Sequence, residues 1–285
     1  MQQPIHPVLP VCLDHVPDIR LIACDMDGTL LRGDGSISER TKSAIKEARK
    51  QGVKVVLASG RPLEGLERYL DELELTTADD YALSYNGAVI KNVGTKETIC
   101  SQLITGKDVR DVYAISQQIG VNTHAFSTEL GLISPKVSHY TAHERDINGI
   151  PLTLIDFNEL SEDHPIVKVM LVDEPEILSP GVEQIPVEYY DRFTVVRSAP
   201  FFLEILNKNS NKGNGVSMLA NYLGIKPEEV ICVGDAGNDV HMLEYAGLSV
   251  AMGNAFDDIK AIADYVTHTN EEDGVAHVIE KFILS

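Results

Sequence analysis

The chain is poor in positive charge: 24 Lys and Arg stand against 43 Asp and Glu, for a formal net charge of −19. A nucleic-acid binder presents a basic face that releases phosphate counterions. The field of this chain repels polyanions and anionic bilayers alike, so neither nucleic acid nor a membrane surface is an expected partner. Cysteine is scarce as well, with four residues (Cys12, Cys24, Cys100 and Cys232) scattered over 285 positions. That count and spacing exclude a disulfide framework and a zinc site. Cys24 and Cys232 fall within short apolar runs, as reduced core cysteines do. No apolar run reaches the roughly 18 residues of a membrane helix. The first 19 residues hold four prolines and no basic leader, so they read as an irregular arm rather than a secretory signal. A cytoplasmic enzyme is expected. Fixed-period repeats and low-complexity tracts are missing too, which leaves solenoid and disordered readings without support.

What is present is a strand–helix alternation, on a chain long enough for about two domains. Residues 21–24 are apolar without period-two alternation, as a strand buried on both faces requires. Ser38 caps a helix expected through Ala48, and Gly52 closes it. A second apolar run covers 53–58, a helix is expected over 61–73, and a further run covers 82–85. The last third repeats the pattern. Helices over 215–223, 239–246, 255–263 and 275–282 alternate with strands over 230–233, 248–251 and 265–267. Such spacing implies right-handed βαβ units and a parallel sheet. The middle is different: strands are expected at 89–91 and 98–103, joined through Gly94, then at 122–127, 166–172, 194–197 and 202–205, with helical stretches between. The expectation is an α/β core over 20–87 and 207–285, an inserted α+β domain over 88–206, and the arm over 1–19.

In an open parallel sheet, ligands bind beyond the carboxyl ends of the strands. Four polar clusters stand at that end of four core segments. They are Asp25-Met26-Asp27-Gly28-Thr29-Leu30, Ser59-Gly60-Arg61, Lys212-Gly213 and Gly234-Asp235-Ala236-Gly237-Asn238-Asp239. Alone, each is ordinary: an Asp cap, a strand-ending turn, a solvated lysine, a tight loop. Together, Asp25, Asp27, Asp235 and Asp239 would meet in one crevice. Two like charges about 4 Å apart repel by several kcal/mol even at an effective dielectric near 20. A hard cation such as Mg²⁺ removes that cost, and Lys212 with the backbone amides of Ser59 and Gly60 would serve the oxygens of a phosphate. The combination describes phosphoryl transfer.

These clusters, in this order, resemble the motifs of the haloacid dehalogenase (HAD) superfamily. The stretches 21–31, 83–89, 198–206 and 234–253 resemble its Cof-type branch with a type IIB cap. The resemblance covers nearly the whole chain from about residue 20. It implies a doubly wound, Rossmann-like parallel-sheet core and a cap formed by the insertion. It implies a phosphatase of small phosphorylated metabolites, sugar phosphates above all. By the same resemblance Asp25 is the nucleophile and Asp27 the acid and base. Lys212 neutralises charge, Met26, Ser59, Gly60, Lys212 and Asn238 bind phosphate, and Mg²⁺ sits on Asp25, the carbonyl of Asp27, Asp235 and Asp239. Ser59 stands where many members have Thr.

Other readings are weaker. A calcium loop counted from Asp25 needs Gly at its sixth position and Glu at its twelfth, where Leu30 and Ser36 stand. His139 and His143 are four apart, but no Glu follows His139, so they read as a solvated or hydrogen-bonding pair. Tyr85-Asn86-Gly87 reads as the first hinge into the insertion or as a plain turn. His124, His143, Glu144 and Arg145 are polar enough to contact a substrate. A sugar phosphomutase would use the same site. A phospho-signalling receiver also places Asp, Ser or Thr and Lys around Mg²⁺, but lacks a partner two residues after its acceptor. The residues specify no oligomeric state.

Overall fold

Five buried residues form the first strand, β1 (Leu21–Asp25), in a computed structural model that describes residues 18–285. The expected arm lies outside the described residues, except for Asp18 and Ile19. Helix α1 (Glu39–Lys50) follows, its Ser38 cap accepting from the Thr41 N–H, and then β2 (Lys54–Ala58). Next come α2 (Glu67–Glu72), β3 (Tyr81–Ser84), β4 (Val89–Asn92), β5 (Thr98–Ser101), β6 (Ile104–Thr105) and α3 (Gly106–Ile119). After these run β7 (Asn122–Ser127), β8 (Gly131–Ser134), α4 (His139–Asn148), β9 (Leu152–Leu154) and β10 (Pro165–Val172). Two short helices, α5 (Pro175–Val182) and α6 (Val187–Arg192), precede β11 (Phe193–Ala199) and β12 (Phe202–Asn207). The chain closes with α7 (Lys212–Leu223), β13 (Val230–Gly234), α8 (Val240–Tyr245), β14 (Leu248–Ala251), α9 (Asp257–Ile262), β15 (Tyr265–Val266) and α10 (Gly274–Phe282).

Among the described residues these elements make two compact units, one built from 18–57 with Ala220–Ser285, the other from Ala58–Leu219. The first unit is α/β. Its strands lie in the order β15-β14-β13-β1-β2, and the β15–β14, β14–β13 and β13–β1 pairs are parallel. The register sets Cys24 opposite Val233, so Asp25 and Gly234, one residue on, leave the sheet side by side.

The second unit holds 58–87 and 207–219 as well as the inserted segment. Strands β3, β4 and β5 form an antiparallel ladder, and a larger sheet runs β11-β12-β10-β7-β8-β9, with β6 beside β10. One face of that sheet packs Val109, Val112, Leu178 and Tyr189 from α3, α5 and α6. The other face carries Phe126, Met170, Phe202 and Leu206 and packs against Ala88 and Val89.

Several expected helices are shorter or broken. The stretch 61–73 divides into a 3₁₀ turn, Leu63–Gly65, and α2, because Pro62 and Gly65 weaken helix nucleation there. The stretch 239–246 begins as a 3₁₀ turn, Gly237–Asp239, since the Asp239 side chain is committed to the preceding backbone. Helix α7 starts three residues earlier than expected, with Asn211 accepting from the Asn214 N–H at 2.8 Å.

Candidate active site

The first unit builds an acidic pocket from two strand ends. Beyond β1 the backbone folds straight back. The Asp25 carbonyl accepts from the Leu30 N–H at 3.2 Å, and the Met26 carbonyl from the Leu31 N–H at 2.9 Å. Gly28 makes this turn at φ 84°, and a Cβ there would lie 2.5 Å from Asp235 Oδ2. Only glycine satisfies both demands. Thr29 Oγ1 donates to Asp235 Oδ1 at 2.7 Å, tying the β1 loop to the β13 loop. Asn254 Nδ2 holds the Gly28 carbonyl at 2.8 Å, and Asn270 holds both Asn254 and the Leu31 carbonyl.

After β13, Asp239 is fully buried, and its Oδ2 accepts from the backbone N–H groups of Asp235 (2.9 Å) and Ala236 (3.0 Å). Gly234 leaves room for it, because a Cβ there would collide with the Asp239 side chain. Asp25, Asp235 and Asp239 each offer one carboxylate oxygen, and the three lie within 4.8 Å of one another. Such a trio repels itself without a counter-charge. Its donors are all hard oxygens, which suit a hard divalent cation rather than a thiophilic metal. Asp27 is exposed, its carboxylate outside the trio; Asn238 is exposed on the Gly237–Asp239 turn. Behind the strand ends, burial and the neighbouring Asp25 push the Cys24 thiol up to about 12, and Cys232 is raised by its burial too. Both cysteines are free, buried and inert.

The second unit gathers another group. Ser59 is buried just past β2; its hydroxyl accepts from the Arg61 N–H at 3.2 Å and its carbonyl from the Asn86 N–H at 2.8 Å. Gly60 faces the Asn86 amide, which a Cβ would approach to 3.2 Å. The Tyr85–Gly87 turn has three successive positive φ angles, 53°, 55° and 82°. Gly87 packs on the Asn211 backbone, and a Cβ there would lie 3.2 Å from the Lys212 Cα. Lys212, the first residue of α7, is completely buried. Ser59, Gly60, Asn86 and Lys212 thus belong to one packed assembly in which the Tyr85–Gly87 turn is the hub.

Among the polar residues of the insertion, His124 faces no solvent: it is fully buried, with Nδ1 3.2 Å from Thr141 Oγ1 and Nε2 3.3 Å from Met170 Sδ. Burial, and secondarily Lys168, lowers its pKa to about 3. His143 is exposed, and Arg145 is turned to Asp146 at 2.7 Å. Glu144 is buried, and that burial raises its carboxyl. Sequence reasoning passed over Thr29, Asn254 and Asn270. Thr29 was the findable one, a hydroxyl directly after the glycine of the Asp loop; the two asparagines look like any loop residues.

Residues 22–279 match the haloacid dehalogenase-like hydrolase family. A relative from Bacillus subtilis strain 168, "Putative phosphatase YxeH", is 41% identical over 267 residues, 93% of this chain and 99% of that one. A solved haloacid dehalogenase-like hydrolase from Bacteroides thetaiotaomicron superposes with a TM-score of 0.81 at 32% identity, covering 92% of this chain and 99% of that one. The HAD subclass IIB sugar phosphatase BT4131 superposes with a TM-score of 0.73 at 27% identity, over 92% and 98%. No helix among the described residues is long and apolar enough to cross a membrane.

Proposed function

The chain belongs to the haloacid dehalogenase-like hydrolases, and from that premise we propose a cytoplasmic, Mg²⁺-dependent phosphatase of small metabolites, sugar phosphates first, working through a phospho-Asp25 intermediate. The observation that carries the proposal is the Asp25–Asp235–Asp239 trio, set at the carboxyl ends of adjacent parallel strands. Phosphatase relatives support hydrolysis over the mutase and signalling readings. The likeness of segments 166–178, 225–230 and 270–282 to the bacterial sugar phosphatase YidA, and the solved subclass IIB sugar phosphatase, support sugar phosphates.

In this reading an Asp25 carboxylate oxygen attacks phosphorus, forming an aspartyl phosphate as the bond to the leaving oxygen breaks. Asp27, two residues on and open to solvent, gives that oxygen its proton and then takes one from the water that hydrolyses the intermediate. Mg²⁺, held by Asp25, Asp235, Asp239 and the Asp27 carbonyl, would neutralise the carboxylates and the phosphoryl oxygens. Met26, Ser59, Gly60, Asn238 and Lys212 are the proposed phosphate ligands, Lys212 also offsetting charge on Asp25. Asp239 has a further part, since its grip on the Asp235 backbone sets that residue's direction. Segment 88–206 is the proposed cap, which excludes water and selects the leaving group.

The test is inorganic phosphate release from a panel of sugar phosphates, nucleotides and phosphorylated acids, with Mg²⁺ and with EDTA. Metal-dependent release with sugar monophosphates at the top of the kcat/KM ranking is expected. Interconversion of a hexose 1-phosphate without phosphate release would replace hydrolysis by mutase chemistry.

A further inference from the structure

The second unit contains a cavity that the phosphatase reading leaves unused. It measures about 250 Å³, and Leu63, Val89, Phe126, Ile150 and Val167 give it an apolar lining. Ser59, Gly60, Asn86 and Lys212 are not among the residues around it. One wall is a face of the β3–β4–β5 ladder. Ser84 stands opposite Val89 there, and Lys91, two residues further along β4, stands opposite Thr98.

The polar groups of this cavity lack partners. Ser84 is 1% exposed, and its Oγ makes no hydrogen bond. A buried hydroxyl in that state costs free energy until a partner comes to it. Lys91 is half-buried on the ladder, and Glu64 is exposed on the 3₁₀ turn Leu63–Gly65. Among the described residues neither side chain has an ion-pair or hydrogen-bond partner. An apolar lining with a few placed polar groups is the make-up of a small-molecule site, and the volume suits a small molecule.

The charges decide which class of molecule fits. A phosphate or other anion meets one ammonium and is opposed by Glu64. A simple amine meets Glu64 and is opposed by Lys91. A zwitterion with an apolar tail answers both charges and the lining. We propose that this cavity binds an apolar α-amino acid, with its carboxylate on Lys91, its ammonium on Glu64 and its side chain against Val89, Phe126 and Ile150. Lys91 and Ser84 are diagonal neighbours on the ladder, so the Ser84 hydroxyl donates to the same carboxylate. The site adjoins the proposed phosphate-binding segment without belonging to it. Leu63 and Glu64 follow Ser59–Arg61 closely, and Tyr85, also on the cavity, donates its N–H to the Arg61 carbonyl at 3.1 Å. An amino acid seated here braces that segment and changes kcat without competing with the phosphoester. That consequence alone rests on the phosphatase reading.

Calorimetric titration of the full chain with L-leucine tests the site, beside 4-methylpentanoate, which lacks the ammonium, and 3-methylbutylamine, which lacks the carboxylate. Leucine is expected to bind at one site with a Kd of about 1 mM or tighter, and each analogue about 10-fold or more weakly. Lys91→Met and Glu64→Gln should each weaken leucine by about 10- to 100-fold, and Ser84→Ala by about 2- to 10-fold. Thermal melting identifies the folded variants, and Glu64→Gln, at an exposed position, decides if another fails to fold. With a hexose monophosphate as substrate, leucine should change kcat and leave KM unaltered. Absence of leucine binding to the folded wild type overturns the site, as does unchanged binding in folded Glu64→Gln. Equal affinity for 4-methylpentanoate overturns the assignment to a zwitterion. A rise in KM alone would place leucine in the phosphatase site and overturns the proposal as well. Inactivity on every phosphoester overturns the phosphatase reading, while the calorimetry, which needs no turnover, still decides the cavity.

Discussion

Replacing Gly28 by alanine separates two costs that the structure stacks at one position. The residue sits at φ 84°, where an L side chain adds roughly 1–2 kcal/mol of strain. The new Cβ would also lie 2.5 Å from Asp235 Oδ2 and 2.9 Å from Asp235 Cγ. Ordinary contact requires the carboxylate to retreat by about 1 Å, which breaks its 2.7 Å bond from Thr29 and adds about 1.5–3 kcal/mol. Gly52 is the control, since it has φ 86° with nothing within 4 Å of its would-be Cβ. Urea melts should therefore show Gly52→Ala carrying the strain alone and Gly28→Ala losing about 1.5–3 kcal/mol more. Displacing a proposed metal ligand by about 1 Å should lower kcat by about 10²-fold in Gly28→Ala and leave Gly52→Ala active. Equal stability and equal kcat in the two variants would refute the claim that Gly28 exists to seat Asp235.

Asp27→Asn should bind Mg²⁺ as the wild type does, because the proposed ligand is its backbone carbonyl, yet slow turnover by about 10²- to 10⁴-fold; normal turnover removes its acid–base role. The buried His124 has a folded pKa of about 3, below its unfolded value near 6.5, so the unfolded state binds the extra proton between those values. Its contribution to stability is therefore intact above pH 6.5 and lost as pH falls toward 3, reaching about 2 kcal/mol by pH 5. His124→Leu should flatten the stability curve across that window, measured by urea melts at pH 5 and 8; a parallel curve would show that His124 takes up its proton in the folded state.

The elements most legible in the sequence are those whose signal is entirely local. The apolar run at 21–24 became β1, and Ser38 capped α1 with its own hydroxyl, because burial on both faces and a cap oxygen leave little choice. Where neighbours decide, local reading fell short. The four-residue β8 exists by pairing with β7 and the three-residue β9 by pairing with β8, not by any pattern of their own. His124, polar enough in the sequence to contact a substrate, is buried against Thr141 and Met170, because a strand residue's face depends on what packs there. Lys168 and Glu204 carried a visible hint, each a lone charge within an apolar strand. Their meeting, as an ion pair at 3.1 Å, is a consequence of the β10–β12 register, which no single-strand pattern contains. The Asp25, Asp235 and Asp239 cluster spans more than 200 positions, and its motifs could be found only as a set.

The proposed mechanism turns on a covalent phosphoryl group on Asp25, which acid quenching during turnover would trap. The wild type is mixed with Mg²⁺ and a hexose monophosphate, quenched within one turnover, and digested for mass spectrometry. One phosphoryl group is expected on the peptide carrying Asp25, gone once substrate is exhausted, with neither label nor phosphate release in Asp25→Asn. Turnover by Asp25→Asn, or wild-type turnover that never labels Asp25, would contradict it.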